Sequence, residues 1–403
     1  MSLIGRAARE VRSVMSSTSV WGTAAASWSA SSSAGVTVTH ESALGTSAFF
    51  ACVRLISDHI ATLPVDVFQR YPNGRFGRPK PAWLTAPNPE MTWPEFMQQT
   101  VVSEILDGNW FWAIVWGPDG LPSEIWPLDP RGVTVFRDFN SLEVKFRVGA
   151  SVLSSRDIIH GRAMSQPGSL RGLSVVDAAR QTLGIAQAAE VSAGSLYAKG
   201  LLSQVVITSD KPVPDATARE MANRLAEAHS GTANAWKPVV FGNGATISPL
   251  TITPEQAQFL QSRNFEVEEI ARWLGVPLSR IQSQEKSTSW GSGIEQFNIM
   301  YTQDAIVPRT AKYEARLAPL IALQYGADHY LKFNVNGLLR GDMAARAQFY
   351  QAMTLMGAYS PNNVLAKEDE NPFPGGDAHY MQTSYGPILP DGTIKQPSAG
   401  GAA

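Results

Sequence analysis

Residues 333–377 read FNVNGLLRGDMAARAQFYQAMTLMGAYSPNNVLAKEDENPFPGGD, and the signals in this stretch are ordered as in a helical assembly module. A turn at Arg340-Gly341-Asp342 opens the first helix, with Asp342 placed to accept from first-turn amides that lack an intrahelical partner. Gly357 closes it, because glycine enters the left-handed backbone of a helix C-terminus without a Cβ clash. Phe349, Met353 and Met356 recur at three- and four-residue spacing and make one apolar stripe. Ser360-Pro361 restarts a shorter helix that runs into a Pro- and Gly-rich exit. The remaining residues are ordinary helix formers, and none is arranged for chemistry.

Around this block the chain has 403 residues, 44% of them hydrophobic, enough for two or three domains with real cores. Charged residues make up 17% and the formal net charge is −2, which excludes the strongly basic footprint of a protein that grips nucleic acid tightly. The one cysteine, Cys52, excludes an intrachain disulfide framework and a thiolate metal cluster, and fits a reducing compartment. The longest apolar run, Trp110 to Trp116, is far short of the roughly 20 residues that cross a bilayer. No membrane passage is expected.

Residues 1–40 divide into a short amphipathic segment, with Leu3, Ile4, Ala7, Val11 and Val14 beside Arg6, Arg9 and Arg12, and a Ser/Ala/Gly-rich stretch. They read as a mobile arm that packs on a neighbouring subunit, in preference to a membrane-surface helix. From Ser47 to Arg70, Phe49, Cys52, Val53, Ile56, Ile60 and Leu63 share one helical face with Arg54, Ser57 and Asp58 opposite, and Pro64 ends the helix. Alternation then takes over in Val65-Asp66-Val67-Phe68, with a turn at Pro72-Asn73-Gly74. Thr92 and Glu95 make a capping box for a helix reaching Leu106; Asp107-Gly108-Asn109 breaks it before an aromatic strand carrying Trp110, Trp112 and Trp116. Gly117-Pro118-Asp119-Gly120 turns the chain back, and strands follow at 125–128, 133–136 and 144–148.

From Ser174, with Asp177 as capping partner, a long Ala-rich helix is expected towards Gly200, roughly 35–40 Å at about 1.5 Å per residue. Ala178, Ala179, Ala186, Ala189 and Ala193 keep it slim. Residues 201–252 read as a compact insertion: a strand at 204–208, a helix at 216–229, and a hairpin at Gly242-Asn243-Gly244 that is a turn and not a nucleotide loop. A second long helix starts at Thr253-Pro254 with Gln256 at N3, carries Leu260, Val267, Ile270, Ala271 and Leu274, and stops at Gly275 before Pro277. After a loose stretch at 282–293, a helical region begins at Ile294, is broken by Pro308 and resumes to Leu320.

Motifs for catalysis are missing: the chain has no Walker A sequence, no HExxH and no GxSxG. Asp157 and His160 in DIIH invite a metal or acid-base reading, but their apolar neighbours favour a strand-end histidine with a backbone partner. His59 reads as a satisfied core or boundary residue, Cys52 as a buried hydrophobe, the tryptophans as core rather than base-stacking platforms, and Lys367 to Glu370 as a solvated charge run.

The block 333–377, the helix-to-strand block 47–70 and the block FEVEEIARWLGVPLSRI at 265–281 together resemble phage portal proteins of the HK97 type, in the family's order and over residues 41–380. Two positions depart from the pattern: Asn362-Asn363-Val364 stands where Asn-Glu, an apolar residue and an arginine are usual, and Asn334 where an Asp is common. The resemblance implies an α+β portal fold with a mixed α/β wing (41–171), stem helices (172–200 and 253–275) flanking a small α/β clip (201–252), wing helices with a channel loop (276–332), a helical crown (333–380) and a disordered tail (381–403). It implies a ring, typically of twelve subunits, at a capsid vertex of the virion, assembled in the host cytoplasm, through which double-stranded DNA is packaged and ejected.

Implied partners are the major capsid protein, scaffold, the terminase large subunit and a head-tail adaptor; neither a cofactor nor enzymatic activity is expected. The channel loop falls at Gln284–Gly293 or Asp304–Thr310. Gln258, Glu266, Glu269, Lys286, Asp304 and Arg309 are the candidate channel-lining residues, and Arg219, Glu220 and Arg224 of the clip the candidate docking residues. The rivals are another head-tail connector or adaptor, which would be shorter and lack the helix-insertion-helix order, and a metal-dependent hydrolase using Asp157 and His160.

Overall fold

A computed structural model describes residues 30–71, 74–199, 205–209, 214–220, 223, 245–249, 265–281, 292–338, 343–368 and 370–380. The chain divides into two units, 1–335 and 336–403. In the first, Ala30–Ser31 (β1) and Thr37–Val38 (β2) pair antiparallel across Gly35, whose φ of 76° makes the turn. Residues 30–40 of the expected arm are thus a hairpin and the start of a helix, and the rest of it lies outside the described residues. The amide and hydroxyl of Ser33 both donate to Gln181 Oε1 at 2.8 Å, which ties this hairpin to a later helix.

Helix α1 (His40–Gly45) is capped reciprocally by Thr39 and Ser42. Helix α2 (Ser47–Ala61) buries the expected face: Phe49, Cys52, Val53, Ile56 and Ile60 are all at most 2% exposed. Ser57, expected on the polar side, is buried as well, because its hydroxyl donates back to the Arg54 carbonyl at 3.0 Å and needs no water. Strands β3 (Val65–Tyr71) and β4 (Gly74–Arg78) form a hairpin with Tyr71 opposite Gly74. Helix α3 (Ala82–Thr85) precedes α4 (Trp93–Asp107), which opens on the Thr92–Glu95 capping box and stops at left-handed Gly108.

Strand β5 (Asn109–Trp116) is buried at all eight positions. It is followed by β6 (Pro122–Leu128), by β7 (Val133–Arg137), β8 (Val144–Val148) and β9 (Ser151–Ser154) in a second antiparallel sheet, and by β10 (Ile158–Arg162), which pairs with the free edge of β5. Because side chains alternate along a strand, β5 presents two different faces. Phe111, Ala113 and Val115 pack with Val133, Phe146, Val148 and Leu153 of the second sheet. Trp110 and Trp112 turn the other way: Trp112 lies 4.9 Å from the Phe96 ring of α4 and donates Nε1–H to Thr100 Oγ1 at 2.9 Å. Covering an indole removes roughly 200 Å² from water, worth about 5 kcal/mol at ~25 cal/mol/Å². The tryptophans are core, as expected.

The long helix from Ser174 is interrupted. Ser174 caps α5 (Val175–Ala178) through the Asp177 amide, but Ala179 leaves helical geometry, and α6 (Arg180–Lys199) continues from there. Asp177 directs its carboxylate to Arg180 at 3.1 Å instead of capping. The continuous part is thus about 30 Å long at ~1.5 Å per residue, shorter than expected. Of the insertion at 201–252, β11 (Val205–Ser209) and β12 (Ala245–Pro249) pair antiparallel. Residues 215–220 are helical, while the turn at 242–244 and most of the 216–229 helix lie outside the described residues. Of the second long helix, 265–274 (α7) is described, ending at Gly275 with φ 69°.

Helix α8 (Ser292–Tyr301) runs without interruption through a π turn at Thr302–Ile306 into α9 (Val307–Tyr325). The expected break at Pro308 is therefore not made. The Val307 amide bonds back five residues to the Thr302 carbonyl, and this widened turn places Pro308 in the first turn of α9, where its missing N–H has no partner to lose. Strand β13 (His329–Phe333) adds to β3, giving the order β13-β3-β4. Phe333 so belongs to the first unit, and the two units divide at 335/336. The second unit holds α10 (Met343–Leu355) and α11 (Pro361–Lys367).

Gly161 on β10 is where the two-sided burial of β5 leaves least room, since a Cβ there would lie 1.9 Å from the Trp110 ring. Gly161→Ala is expected to destabilise the protein by about 3 kcal/mol, the upper range for overpacking, read as a lowered urea midpoint. Gly77→Ala, also on a strand but with open space around the added Cβ, is the reference.

Candidate functional site

The expected channel residues do not form one set. On α7, Ile270, Ala271 and Leu274 are buried, and Trp273 Nε1 donates to Thr182 Oγ1 of α6 at 3.3 Å, so the two expected stem helices meet at these ends. Glu266 is half-buried, and Glu269 pairs with Arg272 one turn on, so this surface is not purely acidic. Gln258 and Lys286 lie outside the described residues, as does the loop 284–291. Asp304 is exposed on the π turn. The alternative channel loop, 304–310, is helical, which removes it as a loop.

Arg309 turns inward. One guanidinium nitrogen donates to the Ala305 carbonyl at 2.5 Å and Nε lies 3.7 Å from Glu104 Oε1, with Glu104 itself 3% exposed. Glu104 Oε2 accepts from the Tyr313 hydroxyl at 2.5 Å, and burial with the neighbouring carboxylate raises the Tyr313 pKa far above its ordinary value. A buried carboxylate requires this compensation, which the sequence reading missed. Spacing offers one signal: Arg309 and Tyr313 stand four apart on a helix and so share a face.

His160 and Asp157 are held apart by separate structural partners. The His160 ring stacks on Phe111 at 4.4 Å and meets Phe146 edge-on at 5.7 Å, while Nε2 lies 3.1 Å from Asn109 Oδ1. Its partner is therefore a side chain, where a backbone group was expected. The same Asn109 oxygen accepts from the Gly172 amide, and Asn109 Nδ2 donates to Asp107, whose carboxylate takes Arg171 at 2.5 Å. Burial, then repulsion from Arg162, Arg171 and Arg316, pushes the His160 pKa down to about 3. Desolvation also raises the Asp107 pKa, against the opposing pull of Arg171. Asp157 accepts from Ser154 Oγ at 2.7 Å and Trp116 Nε1 at 3.2 Å. Among the described residues no group of three or more His, Cys, Asp or Glu is placed to hold a metal.

His59 is the satisfied boundary residue expected, with Nδ1 3.0 Å from the Tyr301 hydroxyl. Burial pushes the Cys52 thiol up to about 12, as suits a buried hydrophobe. Of the clip residues, Arg219 and Glu220 are exposed on the helical stretch 215–220; Arg224 lies outside the described residues. No helix among the described residues is long and apolar enough to cross a membrane.

A family model described as phage portal protein matches residues 47–369. This chain belongs to the phage portal protein family. It is 34% identical over 364 residues to the probable portal protein of Streptomyces phage phiC31, covering 85% of this chain and 78% of that one. Against the portal protein of Enterobacteria phage HK97 the identity is 30% over 377 residues, covering 91% and 88%. A chain from the neck of a native gene transfer agent particle, solved with C12 symmetry, shares the fold at a TM-score of 0.56 and 19% identity, covering 82% of this chain and 92% of that one.

Within the matched span, one departure from the usual portal pattern has a structural account. Asn363 occupies the N3 position of α11 and completes a capping box with Ser360, which is the task a glutamate performs there. Asn362 is buried and locks the Pro/Gly-rich exit: Oδ1 accepts from the Phe373 amide, and Nδ2 donates to the Phe373 carbonyl and to Asp377. Asp342 and its turn lie outside the described residues, but Gly357 ends α10 with φ 69°, as expected. The apolar stripe of α10 is largely uncovered in the single chain, with Phe349 at 47% and Met356 at 58% exposure. The charge run 367–370 is more than a solvated patch, because Glu368 takes Arg346 at 2.9 Å and the Tyr350 hydroxyl at 2.5 Å.

His160 makes stability pH-dependent. The unfolded imidazole binds a proton below about 6.5 and the folded one only near 3, so between these values the unfolded chain holds more protons and stability falls as pH falls. From pH 7 to pH 5 the loss assigned to this group is about 1–2 kcal/mol. His160→Gln is expected to lack that part of the pH dependence in urea unfolding.

Proposed function

We propose that this chain is one wedge of a closed portal ring at a capsid vertex of the virion, through which double-stranded DNA is packaged and ejected. The observation that carries the reading is the family match over 47–369, supported by the fold shared with a neck component solved with twelvefold symmetry. The layout of the wedge follows the expected order: wing to about residue 171, stem helices on either side of the clip, then wing helices, and the second unit as crown. The role is mechanical, with ATP hydrolysis supplied by the terminase large subunit. Scaffold and major capsid protein are the partners of head assembly, and a head-tail adaptor binds later.

A conduit needs weak, interchangeable contacts with the duplex. A ring of chains each offering several lysines to phosphate would multiply those contacts and hold the DNA fast, whereas this chain carries a net charge of −2. Gln258, Glu266 and Glu269 contribute a hydrated wall whose repulsion is mild, in keeping with the Glu269–Arg272 pair. Arg309 is left out of that wall, because its charge is committed to Glu104. Of the two expected channel loops, 284–293 is the one retained, with its last two residues opening α8.

Native mass measurement and class averages of the purified full-length protein are expected to give a closed ring of about twelve chains, following the C12 neck. A monodisperse monomer at all accessible concentrations would end this reading. The clip is the docking surface for motor and adaptor: charge reversal of Arg219, Glu220 and Arg224 together is expected to leave the ring mass unchanged and to abolish DNA packaging, and packaging at the wild-type level removes the assignment.

A further inference from the structure

Strand β10 stands at the edge of the β10-β5-β6 sheet. Opposite residues of an antiparallel pair alternate between exchanging both backbone hydrogen bonds and exchanging none. The Ile114 amide donates to the Asp157 carbonyl at 2.8 Å and the Ala163 amide to the Gly108 carbonyl at 2.9 Å, so Asp157, Ile159, Gly161 and Ala163 turn their backbone groups towards β5. The N–H and C=O of Ile158, His160 and Arg162 therefore point away from it, and none of them meets a hydrogen-bond partner among the described residues. An edge left open in this way is a template for a further strand.

This edge lines a cleft of about 820 Å³, with α9 as one wall and strands β7 and β8 as another. Clefts that take small ligands and short segments of chain span roughly 300–1,000 Å³. Along the α9 wall Ala315, Pro319 and Leu323 stand four residues apart and so form one row, and all three are exposed. Charge around the cleft has one sign. Arg137, Arg156, Arg162 and Arg316 line it, an adjoining cavity that shares Arg162 and Arg316 adds Lys312, and no Asp or Glu is among the lining residues of either. Arg137 and Arg162 donate to neutral groups, the Leu142 carbonyl at 2.7 Å and the Ser169 carbonyl at 2.8 Å. Lys312 and Arg316 are exposed and have no hydrogen-bond or ion-pair partner among the described residues. The positive charge is thus uncompensated within the chain.

We propose that this cleft receives an extended acidic segment of a partner protein, which adds to β10 as a further strand. Main-chain bonds to Ile158, His160 and Arg162 supply the pairing, and alternate side chains supply the selectivity: carboxylates for the arginines, apolar groups for the Ala315-Pro319-Leu323 row. A carboxylate matches a guanidinium with two parallel hydrogen bonds, which fixes the register of the added strand. A DNA duplex satisfies the arginines but has no backbone that continues a sheet, so it leaves the edge amides unpaired. The site is complete within one chain and does not rest on ring closure.

The test titrates the full-length protein into a fluorescein-labelled peptide of alternating Glu and Val, long enough to span β10, and reads anisotropy. Saturable binding is expected. Replacing the peptide's Glu by Lys, and separately Lys312→Glu with Arg316→Glu in the protein, are each expected to weaken it by about tenfold or more, with thermal unfolding of the protein unchanged. Methylating alternate peptide nitrogens separates strand addition from charge alone: one of the two alternate sets is expected to abolish binding and the other to spare it, and any other pattern overturns the strand pairing. Absence of saturable binding overturns the proposal and leaves the arginines as guards of an unused edge. A labelled DNA duplex that binds more tightly than the peptide, and loses that binding in the same protein variant, overturns it in favour of a nucleic-acid site. A variant that keeps the peptide but no longer assembles overturns it in favour of a contact between copies.

Discussion

The first unit is organised by one constraint: β5 has no solvent face. Its odd positions close against the β7-β8-β9 sheet and its even positions against α4 and α9, so three separate layers take their position from one eight-residue strand. Interiors pack as densely as organic crystals, and a strand buried on both sides transmits that density to everything it touches. Gly161 and Gly108 mark where the tolerance runs out. A Cβ on the first would enter the Trp110 ring, and one on the second would collide with the Leu173 backbone at 2.4 Å.

Two-sided burial also dictates the polar groups around the strand. Each hydrogen-bonding atom carried into the interior needs a partner there, because none comes from water. Trp112 finds Thr100; Glu104 finds Tyr313 and, as a charge pair at 3.7 Å, Arg309; Asp107, Asn109 and His160 form a chain with Arg171, while Trp93 Nε1, Asp107 Oδ2 and Arg309 Nε have no hydrogen-bond partner. These links join α4, β5, β10, α9 and the segment before α5. Buried ion pairs of this kind add little net stability over an apolar core, but breaking one side leaves an uncompensated charge. Their effect here is to specify how the layers register.

Local signals read well wherever a turn or cap is made by neighbours in sequence. The Thr92–Glu95 box, the stop at Gly108, the Gly117–Gly120 turn and the Ser360 restart were all legible because the deciding hydrogen bonds span three or four residues. Asn363 shows the same locality from another side: a departure from the family pattern still reaches the amide it must cap. Readings that needed the opposite partner failed. His160 looked backbone-bound, and Arg309 looked available to DNA.

Sequence by itself determined the helical stripe of α2, the aromatic character of β5 and the family, since periodicity, capping residues and motif order are properties of short range. Only the tertiary structure decided that α6 starts anew after Ala179, that a π turn carries the chain past Pro308, and that the charge of Arg309 is spent on Glu104. The reason for the last is physical: an inward-turned arginine is set by a carboxylate on another helix, far away in sequence, and that partner is not written in the local pattern.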